Sequence, residues 1–463
     1  MKKLLTILLV IVLGVFAASC SKGGETSNPA EDASDVELEI DKNATATISI
    51  GIPGGNSNEE TMIQCLIDDF KTEYPNVSVK LKYISINSGT YGNNIQRMAT
   101  AGTLPDIIWT NSPDIYEAYG YMQSLDAFIE KTDKAGLFGA EGFDGTFYTE
   151  YFDMGKVQGT RYVVPRSCDC VVTFYRKDMF EAAGVDMTKV VNGWTWDDLL
   201  DACAKLRVWL DNNGMQGVYC LDPNLTSWLS VCVPLLNSYG SEVITTDGRN
   251  VIDDAGTEKA LALVRDMVEK RYIADSQVTV SQGFEQGASP MYFQSCSISS
   301  LQSKNVLKDK IDLVTFPLVG EEKEDGTTDY SNAKIGAGIA GYCITKTSQN
   351  KDISWAFLCH LLSKEGQQNM ALNGLNLASI RKDLSDPAVA NWGKGYENFN
   401  LEAYTWGSQY KTSPSFFEYA PIKAKTAIDK ALTDLFVDGT NMKKTTQEAI
   451  ASCKKAIDDA MAD

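Results

Sequence analysis

The sequence predicts an α/β protein with about two or three core-forming units. The chain has 463 residues, 44% of them hydrophobic and 22% charged, which is the composition of a globular protein. Residues 44–52 and 77–83 alternate polar and apolar side chains, as strands do, and the segment between them carries apolar residues at helical spacing. A strand, a helix and a strand in close succession form the pattern of a parallel βαβ unit, which gives the fold class.

The first residues have the pattern of an export signal. Two lysines precede a run of apolar-type residues from Leu4 to Ala18, which is shorter than the roughly 20 residues that a transmembrane helix needs. The run ends in Ala-Ala-Ser-Cys, and small residues before a cysteine resemble a bacterial lipobox. The resemblance implies cleavage after residues 1–19 and lipid on Cys20, so that the lipid is the membrane attachment. An ordinary cleaved signal with an incidental cysteine is the alternative.

Residues 20–43 predict a disordered acidic tether. This segment is rich in Ser, Gly, Asn, Pro, Asp and Glu, and its few apolar side chains bury too little area to offset the entropy of ordering the chain. Seven acidic residues and two lysines keep it extended by self-repulsion. We expect the tether to hold a folded body away from the membrane.

Net charge and histidine content exclude several function classes. The formal net charge is −19, which argues against nucleic acid as a partner because phosphate binding needs a basic surface. The chain has one histidine, His360, so it holds neither a multi-histidine zinc site nor an HExxH helix. His360 falls off the apolar face of a predicted helix at 355–362, and we expect it to be solvated.

The chain has eleven cysteines, ten of them after Cys20. An even number in an exported protein permits disulfides. Most of these cysteines stand singly in apolar patterns, and Cys168-Asp169-Cys170 is too close for a metal knuckle. We therefore expect mostly buried thiols, no metal and no other cofactor.

The loop after the first predicted strand is a candidate contact region. In open α/β sheets, ligands bind at the carboxyl ends of the strands. Asn56 and Glu60 lie there and are candidate ligand contacts. The alternative is a capped helix start, with Asn58 as the cap and acidic residues in the first turn.

Several segments resemble the extracellular solute-binding proteins of carbohydrate ABC importers, the family that includes maltose-binding protein. The resemblance extends in order over residues 44–463, and the segments that carry it are Phe70–Val77, Gly102–Ile107, Gly120–Asp126, Tyr162–Pro165, Phe174–Gly184, Thr195–Leu199, Phe284–Met291 and Ser348–Leu358. One segment departs from the pattern, because Gln294-Ser295-Cys296-Ser297 stands where the family often has Gly-x-Trp.

The resemblance implies a two-lobe periplasmic-binding-protein-like fold of type II, with a ligand cleft between lobes that are joined by several crossing segments. Lobe 1 is predicted at residues 44–158 and 316–376, and lobe 2 at 159–315 and 377–463. Lobe closure on a ligand is a hinge motion. The last part, 421–463, predicts helices on lobe 2 with a break at Asp438-Gly439.

The same resemblance implies where a sugar would bind. Sugar sites pair flat aromatic rings with fixed hydrogen-bonding groups. In the family, the residues after the Pro-Asp-Ile segment face the cleft, which implies Trp109 with Asn111 and Asp114 close behind. A core position is the alternative for Trp109.

Further candidates come from the same resemblance. Trp228 corresponds to a position that approaches the ligand, with helix packing as its alternative. Arg166 follows Pro165, at the end of the first segment that crosses between the lobes, near Gly155–Pro165. Its side chain reaches either the cleft or solvent. Trp406, in an aromatic-rich region, is chosen as a stacking platform.

The stretch Gly336–Gly341 satisfies G-x-G-x-x-G but runs into a predicted strand, whereas a dinucleotide fingerprint opens a helix. We therefore discount NAD. The resemblance implies that glycines at this point lie beside the ligand, and we expect these glycines, Gly338 among them, to permit close approach of the backbone.

Three functions remain open from the sequence. The first is a lipid-anchored monomer that captures a sugar for ABC permease subunits and has no catalytic residues. The second is a binding protein for another solute, such as a polyamine, a peptide or iron. The third is a surface glycoside hydrolase, which needs two carboxyl groups about 5–10 Å apart.

Overall fold

The computed structural model describes residues 41–55, 57–85, 90–112, 120–226, 228–245, 247–323, 327–373, 376–407, 420–441 and 444–462. The predicted signal, Cys20 and most of the predicted tether lie outside these residues, as do the candidates Asn56 and Asp114. In the described part, no helix is both long and apolar enough to cross a membrane.

Fourteen strands are present among the described residues, most of them short. They are β1 Ala46–Pro53, β2 Val77–Ile84, β3 Ile107–Thr110, β4 Lys156–Val157, β5 Thr160–Arg161, β6 Val164–Pro165, β7 Asp169–Cys170, β8 Val172–Arg176, β9 Met291–Gln294, β10 Ile311–Thr315, β11 Glu321–Glu322, β12 Thr328–Asp329, β13 Ala337–Gly338 and β14 Gly341–Ile344.

The α-helices of the described residues are α1 Ser57–Glu73, α2 Thr90–Thr100, α3 Asp126–Lys134, α4 Gly142–Thr146, α5 Thr149–Asp153, α6 Lys177–Ala183, α7 Trp196–Asn212, α8 Leu229–Ser238, α9 Ala255–Glu269, α10 Ile298–Gln302, α11 Lys351–Leu362, α12 Lys364–Leu372, α13 Ala403–Trp406, α14 Lys425–Thr440 and α15 Thr446–Ala462. Short 3₁₀ turns occupy Pro223–Thr226, Lys382–Leu384 and Ile422–Ala424.

The first lobe is built on a five-stranded sheet in the order β2-β1-β3-β14-β6. Strands β1, β2 and β3 are parallel, while β14 is antiparallel to both of its neighbours. Helix α1 connects β1 to β2 and buries Ile63, Leu66 and Phe70. The predicted βαβ unit is therefore confirmed, with a parallel strand pair and an apolar helix face against it.

The second lobe is built on an antiparallel three-stranded sheet in the order β10-β8-β9. Helices α7, α9, α14 and α15 contribute to one hydrophobic core on this lobe. The Thr195 side chain caps α7 by accepting the Asp198 N–H, and the Asp198 carboxylate accepts the Thr195 N–H in return. This capping box fixes where the helix begins.

The chain passes between the two main sheets more than once. Strand β6 extends the first sheet to Pro165, and the chain then enters the second sheet through β8. The chain rejoins the first sheet at β14. Strand β6 belongs to the first sheet and follows the predicted division at residues 158 and 159. The lobe bounds, with their further divisions at 315 and 316 and at 376 and 377, stay predictions.

Helix α14 corrects one expectation. It runs to Thr440, so the predicted break at Asp438-Gly439 is wrong. Gly439 lies inside the helix, and a Cβ there would come 3.0 Å from Leu261 Cδ2 of α9. This glycine marks close helix packing and not a helix end.

The two outer glycines of the Gly336–Gly341 stretch allow close approach of backbone segments. A Cβ on Gly336 would collide with the Ser230 carbonyl oxygen, and one on Gly341 with the Val164 carbonyl oxygen. The stretch leads into strand β14, as predicted, and does not open a helix.

His360 is a further correction, because it is buried at 8% exposure and not solvated. Its ring packs edge-on to Phe70, and its Nδ1 lies 3.9 Å from a Glu73 carboxylate oxygen. Helix α11 is buried on nearly all sides, so the apolar pattern did not identify an exposed face.

The cysteines agree with the expectation of buried thiols. All ten described cysteines are free, and seven of them are buried: Cys168, Cys170, Cys203, Cys220, Cys232, Cys343 and Cys453. Within the described residues, no cluster of three or more His, Cys, Asp or Glu side chains is arranged to hold a metal ion.

Candidate functional site

A cavity of about 300 Å³ lies between the two lobes. We name it the interlobe cavity; its described lining residues are Asn58, Glu59, Met62, Arg166, Asp169, Gln294, Ser295, Cys296, Ser297, Ser300 and Leu377. The lining comes from the start of α1, from the segment after β6, and from the end of β9 with the turn into α10. Both sheets therefore present polar groups to one space.

Glu59 and Arg166 form a buried ion pair on the first-lobe side of the interlobe cavity. The Glu59 side chain is 1% exposed and that of Arg166 is 15% exposed. One Glu59 oxygen pairs with the Arg166 guanidinium, and the other accepts a hydrogen bond from the Tyr342 hydroxyl. Burial lowers the pKa of Arg166, but Glu59, Tyr342 and Asp169 together raise it, so the guanidinium stays charged.

The position of Arg166 is fixed by its backbone as well. Its N–H donates to the Ala340 carbonyl, and its own carbonyl accepts from the Gln367 side chain at 3.2 Å. The guanidinium Nε is buried and has no hydrogen-bond partner among the described residues. A donor of this kind is available to a ligand or a water molecule in the cavity.

Asp169 forms the second-lobe side with Ser295. Burial raises the pKa of the Asp169 carboxyl, while the Arg166 charge and a hydrogen bond from Ser295 act in the opposite direction. Gly338 pairs with Asp169 across β13 and β7, and a Cβ at this position would lie 2.9 Å from Asp169 Oδ2. Glycine at 338 thus leaves room for the carboxylate.

Cys296 also lines the interlobe cavity. Burial raises the pKa of its thiol to about 12, so it carries no thiolate at neutral pH. Its carbonyl accepts a hydrogen bond of 2.7 Å from the Tyr404 hydroxyl. Cys296 acts here as a small apolar wall residue.

Of the sequence-predicted residues, Arg166 lines the interlobe cavity and Gly338 lies against it through Asp169. Glu60 is exposed and accepts a hydrogen bond of 2.6 Å from Tyr83 outside the cavity. Asn111 is exposed at the end of β3.

The three predicted tryptophans are half-buried, and none is among the described lining residues. Trp109 packs edge-on to Tyr91, and its indole Nε1 is buried without a partner among the described residues. Trp228 precedes α8, and Trp406 packs on Gly193. Their ligand contacts stay predictions.

Sequence reasoning missed Glu59, Asp169, Ser295 and Tyr342 as site residues. Two signals were present. An acid, Asp169, stands between Cys168 and Cys170 just before Val171-Val172, and the segment 294–297 departs from the family pattern. Both mark polar groups where a core or a stacking ring is expected.

A second cavity of about 540 Å³ is larger, but it is lined by residues of a single segment, 387–402. The interlobe cavity joins several chain segments and both sheets, which is where α/β proteins bind ligands. We therefore take the interlobe cavity as the candidate site.

Sequence comparison decides the family. The family model described as bacterial extracellular solute-binding protein matches residues 65–399, more than half of the chain. The chain belongs to this family. Its curated relatives include proteins of Brucella abortus (strain 2308) and Brucella suis biovar 1 (strain 1330), each named only as a candidate binding protein. Each is 21% identical to this solute-binding protein over 317 residues, which are 66% of this chain and 69% of the relative.

Solved structures confirm the fold. An acarbose-binding receptor of Streptomyces glaucescens matches with a TM-score of 0.66 at 18% identity, over 91% of this chain and 99% of that one. A Listeria monocytogenes ABC substrate-binding protein solved with cycloalternan matches with a TM-score of 0.66 at 18% identity. The match covers 90% of this chain and 100% of that one. An Arthrobacter globiformis cyclic maltosyl-maltose binding protein matches with a TM-score of 0.69 at 14% identity. The match covers 90% of this chain and 99% of that one. The solute-binding protein has the predicted two-lobe type II periplasmic-binding-protein fold.

Proposed function

We propose that this protein is the lipid-anchored sugar-binding component of an ABC importer. The observation that carries the proposal is the interlobe cavity, in which amide, hydroxyl and charged side chains from both lobes meet. Family membership supports the binding role, and similarity to proteins solved with acarbose and cycloalternan supports a sugar as the solute. The lipobox-like segment before Cys20 supports the anchor.

The cavity chemistry suits a polyhydroxylated ligand of small size. Asn58 offers an amide that both donates and accepts hydrogen bonds, and the hydroxyl oxygens of Ser295 and Ser300, whose protons are used within the protein, still accept them. A volume of about 300 Å³ is at the lower end of the range for ligand pockets, which favours a mono- or disaccharide over a long chain. Asn56, Trp109 and Asp114 remain proposed contacts.

In this role the protein breaks no bond. Family and structural neighbours are binding proteins, which supports a function without catalysis. A ligand that contacts both lobes binds the closed form better than the open form, and this difference in affinity drives closure. The closed form is then recognised by the permease subunits.

The test is thermal unfolding of the full chain, purified in mild detergent, against mono- and disaccharides with spermidine as a non-sugar solute. A ligand at 100 times its dissociation constant adds about 2.7 kcal/mol to the free energy of unfolding, a shift on the order of 5 °C. We expect a shift with a sugar that is recovered intact. A shift with spermidine alone would favour the polyamine alternative, and a cleaved sugar would favour a hydrolase.

Anchoring and oligomeric state have separate tests. Cys20→Ala should abolish incorporation of labelled palmitate and release the protein from the membrane fraction. Light scattering should give the mass of one chain, because we propose a monomer. Loss of labelled-sugar uptake by cells that lack this chain, restored by the wild-type gene, would support delivery to a permease.

A further inference from the structure

The two carboxylates of the interlobe cavity differ in their charge balance. Glu59 has the Arg166 guanidinium on one oxygen and the Tyr342 hydroxyl on the other. For Asp169, the described residues provide no Lys or Arg nitrogen within ion-pair distance. Its hydrogen bond comes from the neutral Ser295 hydroxyl.

The described lining therefore carries a net negative charge. Glu59 and Asp169 contribute two negative charges and Arg166 contributes one positive charge, so one negative charge is left over. Arg166 attracts Asp169 from a distance, but burial outweighs this attraction and raises the pKa of the Asp169 carboxyl. The Asp169 carboxylate is therefore a buried negative charge that the described residues do not neutralise.

The other polar groups near Asp169 are neutral and mostly occupied by the protein itself. Gln294 donates to the Tyr292 hydroxyl at 2.8 Å and accepts from the Ser295 N–H at 2.9 Å. The Ser300 hydroxyl donates to the Ser297 carbonyl at 2.7 Å. The remaining acceptor capacity of this wall is concentrated on Asp169.

We infer that the ligand carries a protonated amine that pairs with Asp169, so that the bound solute is an amino sugar. This inference rests on the proposed function and sharpens it. A neutral sugar would leave the Asp169 charge uncompensated when the cavity closes, whereas an ammonium group neutralises it and supplies three donors. The formal net charge of −19 also attracts a cationic ligand from a distance.

The experiment compares matched pairs by calorimetry on the full chain in detergent, at about pH 6, where an amine of this kind is protonated. The pairs are glucosamine and glucose, galactosamine and galactose, mannosamine and mannose, and the β-1,4-linked glucosamine disaccharide and cellobiose. N-acetylglucosamine provides the same skeleton with a neutral nitrogen. We expect at least one amino sugar to bind tenfold or more tightly than its neutral partner, as a charge-assisted hydrogen bond requires.

The variant Asp169→Asn keeps the shape of the side chain and removes its charge. It should lose the preference for the amine, so that each amino sugar binds no more tightly than its neutral partner. Asp459→Asn makes the same charge change on an exposed side chain of α15 and should leave the preference unchanged. The wild-type comparison stands even where a variant folds poorly.

The outcomes separate this inference from the proposed function. If neutral sugars bind as well as amino sugars, the amine inference is overturned and the sugar-binding function remains. If Asp169→Asn weakens both kinds of sugar equally, Asp169 serves as an acceptor for hydroxyl groups and the inference is again overturned. If no sugar of either kind binds, both the inference and the carbohydrate function fail.

Discussion

The two walls of the interlobe cavity differ in how their buried charges are compensated. On the first-lobe wall, Glu59, Arg166 and Tyr342 satisfy one another inside the protein. On the second-lobe wall, Asp169 is held by Ser295 and burial disfavours its charge. Among the described residues, the charges of the first wall balance one another, although the Arg166 Nε stays available to a ligand, whereas the charge of Asp169 on the second wall is not balanced by a paired cation.

This difference separates a structural network from a recognition group. Breaking a buried ion pair leaves a charge without its partner, which costs far more than the intact pair contributes. A buried carboxylate that lacks a cation lowers the stability of the ligand-free protein, and a cationic ligand offsets that cost on binding. Substitutions on the two walls should therefore change stability in opposite directions.

The largest expected effect is that of Arg166→Ala. The substitution leaves the Glu59 carboxylate, which is 1% exposed, without its cation, and we expect a loss of about 3–5 kcal/mol in the free energy of unfolding. Urea denaturation of the variant and the wild type measures this loss in the free energy of unfolding. The matched control is Arg249→Ala, because Arg249 pairs with Asp247 at a side-chain exposure of 70% and should change stability by about 0.5 kcal/mol or less. Equal losses in the two variants would contradict a structural role for Arg166.

Tyr342→Phe should have the next largest effect. It removes the hydroxyl that donates to Glu59 and keeps the ring, which is fully buried. A hydrogen bond to a charged group contributes about 1.5–3 kcal/mol, and we expect a loss of that size in urea denaturation. Tyr83→Phe is the control, since Tyr83 is 56% exposed and donates to the exposed Glu60. A loss from Tyr83→Phe as large as that from Tyr342→Phe would show that burial of the pair is unimportant.

Asp169→Asn should stabilise the ligand-free protein by a smaller amount. Because burial raises the pKa of Asp169 above its value in the unfolded chain, ionised Asp169 destabilises the fold at neutral pH. This destabilisation disappears as the pH falls through the raised pKa, and it is absent below about pH 4. The melting temperature of Asp169→Asn should exceed that of the wild type at pH 7, and the difference should vanish at low pH. A lower melting temperature at pH 7 would mean that Asp169 already has a stabilising partner.

The smallest effect concerns His360, which lies in the first lobe away from the interlobe cavity. Burial lowers the pKa of His360, while Glu73, Asp69 and Glu365 act in the opposite direction. The folded protein therefore resists protonation, and it loses stability as the pH falls below the unfolded value of about 6.5. His360→Gln should lose less stability than the wild type between about pH 7.5 and pH 5.5. Parallel pH profiles would show that His360 does not titrate in this range.

The neighbouring residues Glu59 and Glu60 show where prediction from sequence ended. The alternative considered from the sequence puts both in the first turn of a helix capped by Asn58, and the structure has both in the first turn of a helix that begins at Ser57 and includes Asn58. Successive residues of a helix point about 100° apart, so one of them faces the interlobe cavity and the other faces solvent. The rotation of α1 on its sheet makes Glu59 the buried one, and Glu60 was the residue chosen from the sequence.

Asp169 and His360 also show that the local sequence does not determine whether a polar residue is buried. Both stand in apolar surroundings in the sequence, where a polar residue is either buried with a purpose or exposed by the local turn of the chain. Their burial depends on elements that are distant in sequence: Asp169 pairs with Gly338, and His360 packs on Phe70. A local pattern does not contain these contacts.

The sequence by itself determined the α/β class, the parallel βαβ unit and the family resemblance. These depend on hydrophobic period and turn residues, which are local properties of the chain. The tertiary structure decided that Glu59, Arg166 and Tyr342 form one network and that Asp169 lines the interlobe cavity with no paired cation among the described residues. Glu59 and Tyr342 are 283 residues apart along the chain, and the pairing of strands distant in sequence within the first sheet brings them within hydrogen-bond distance.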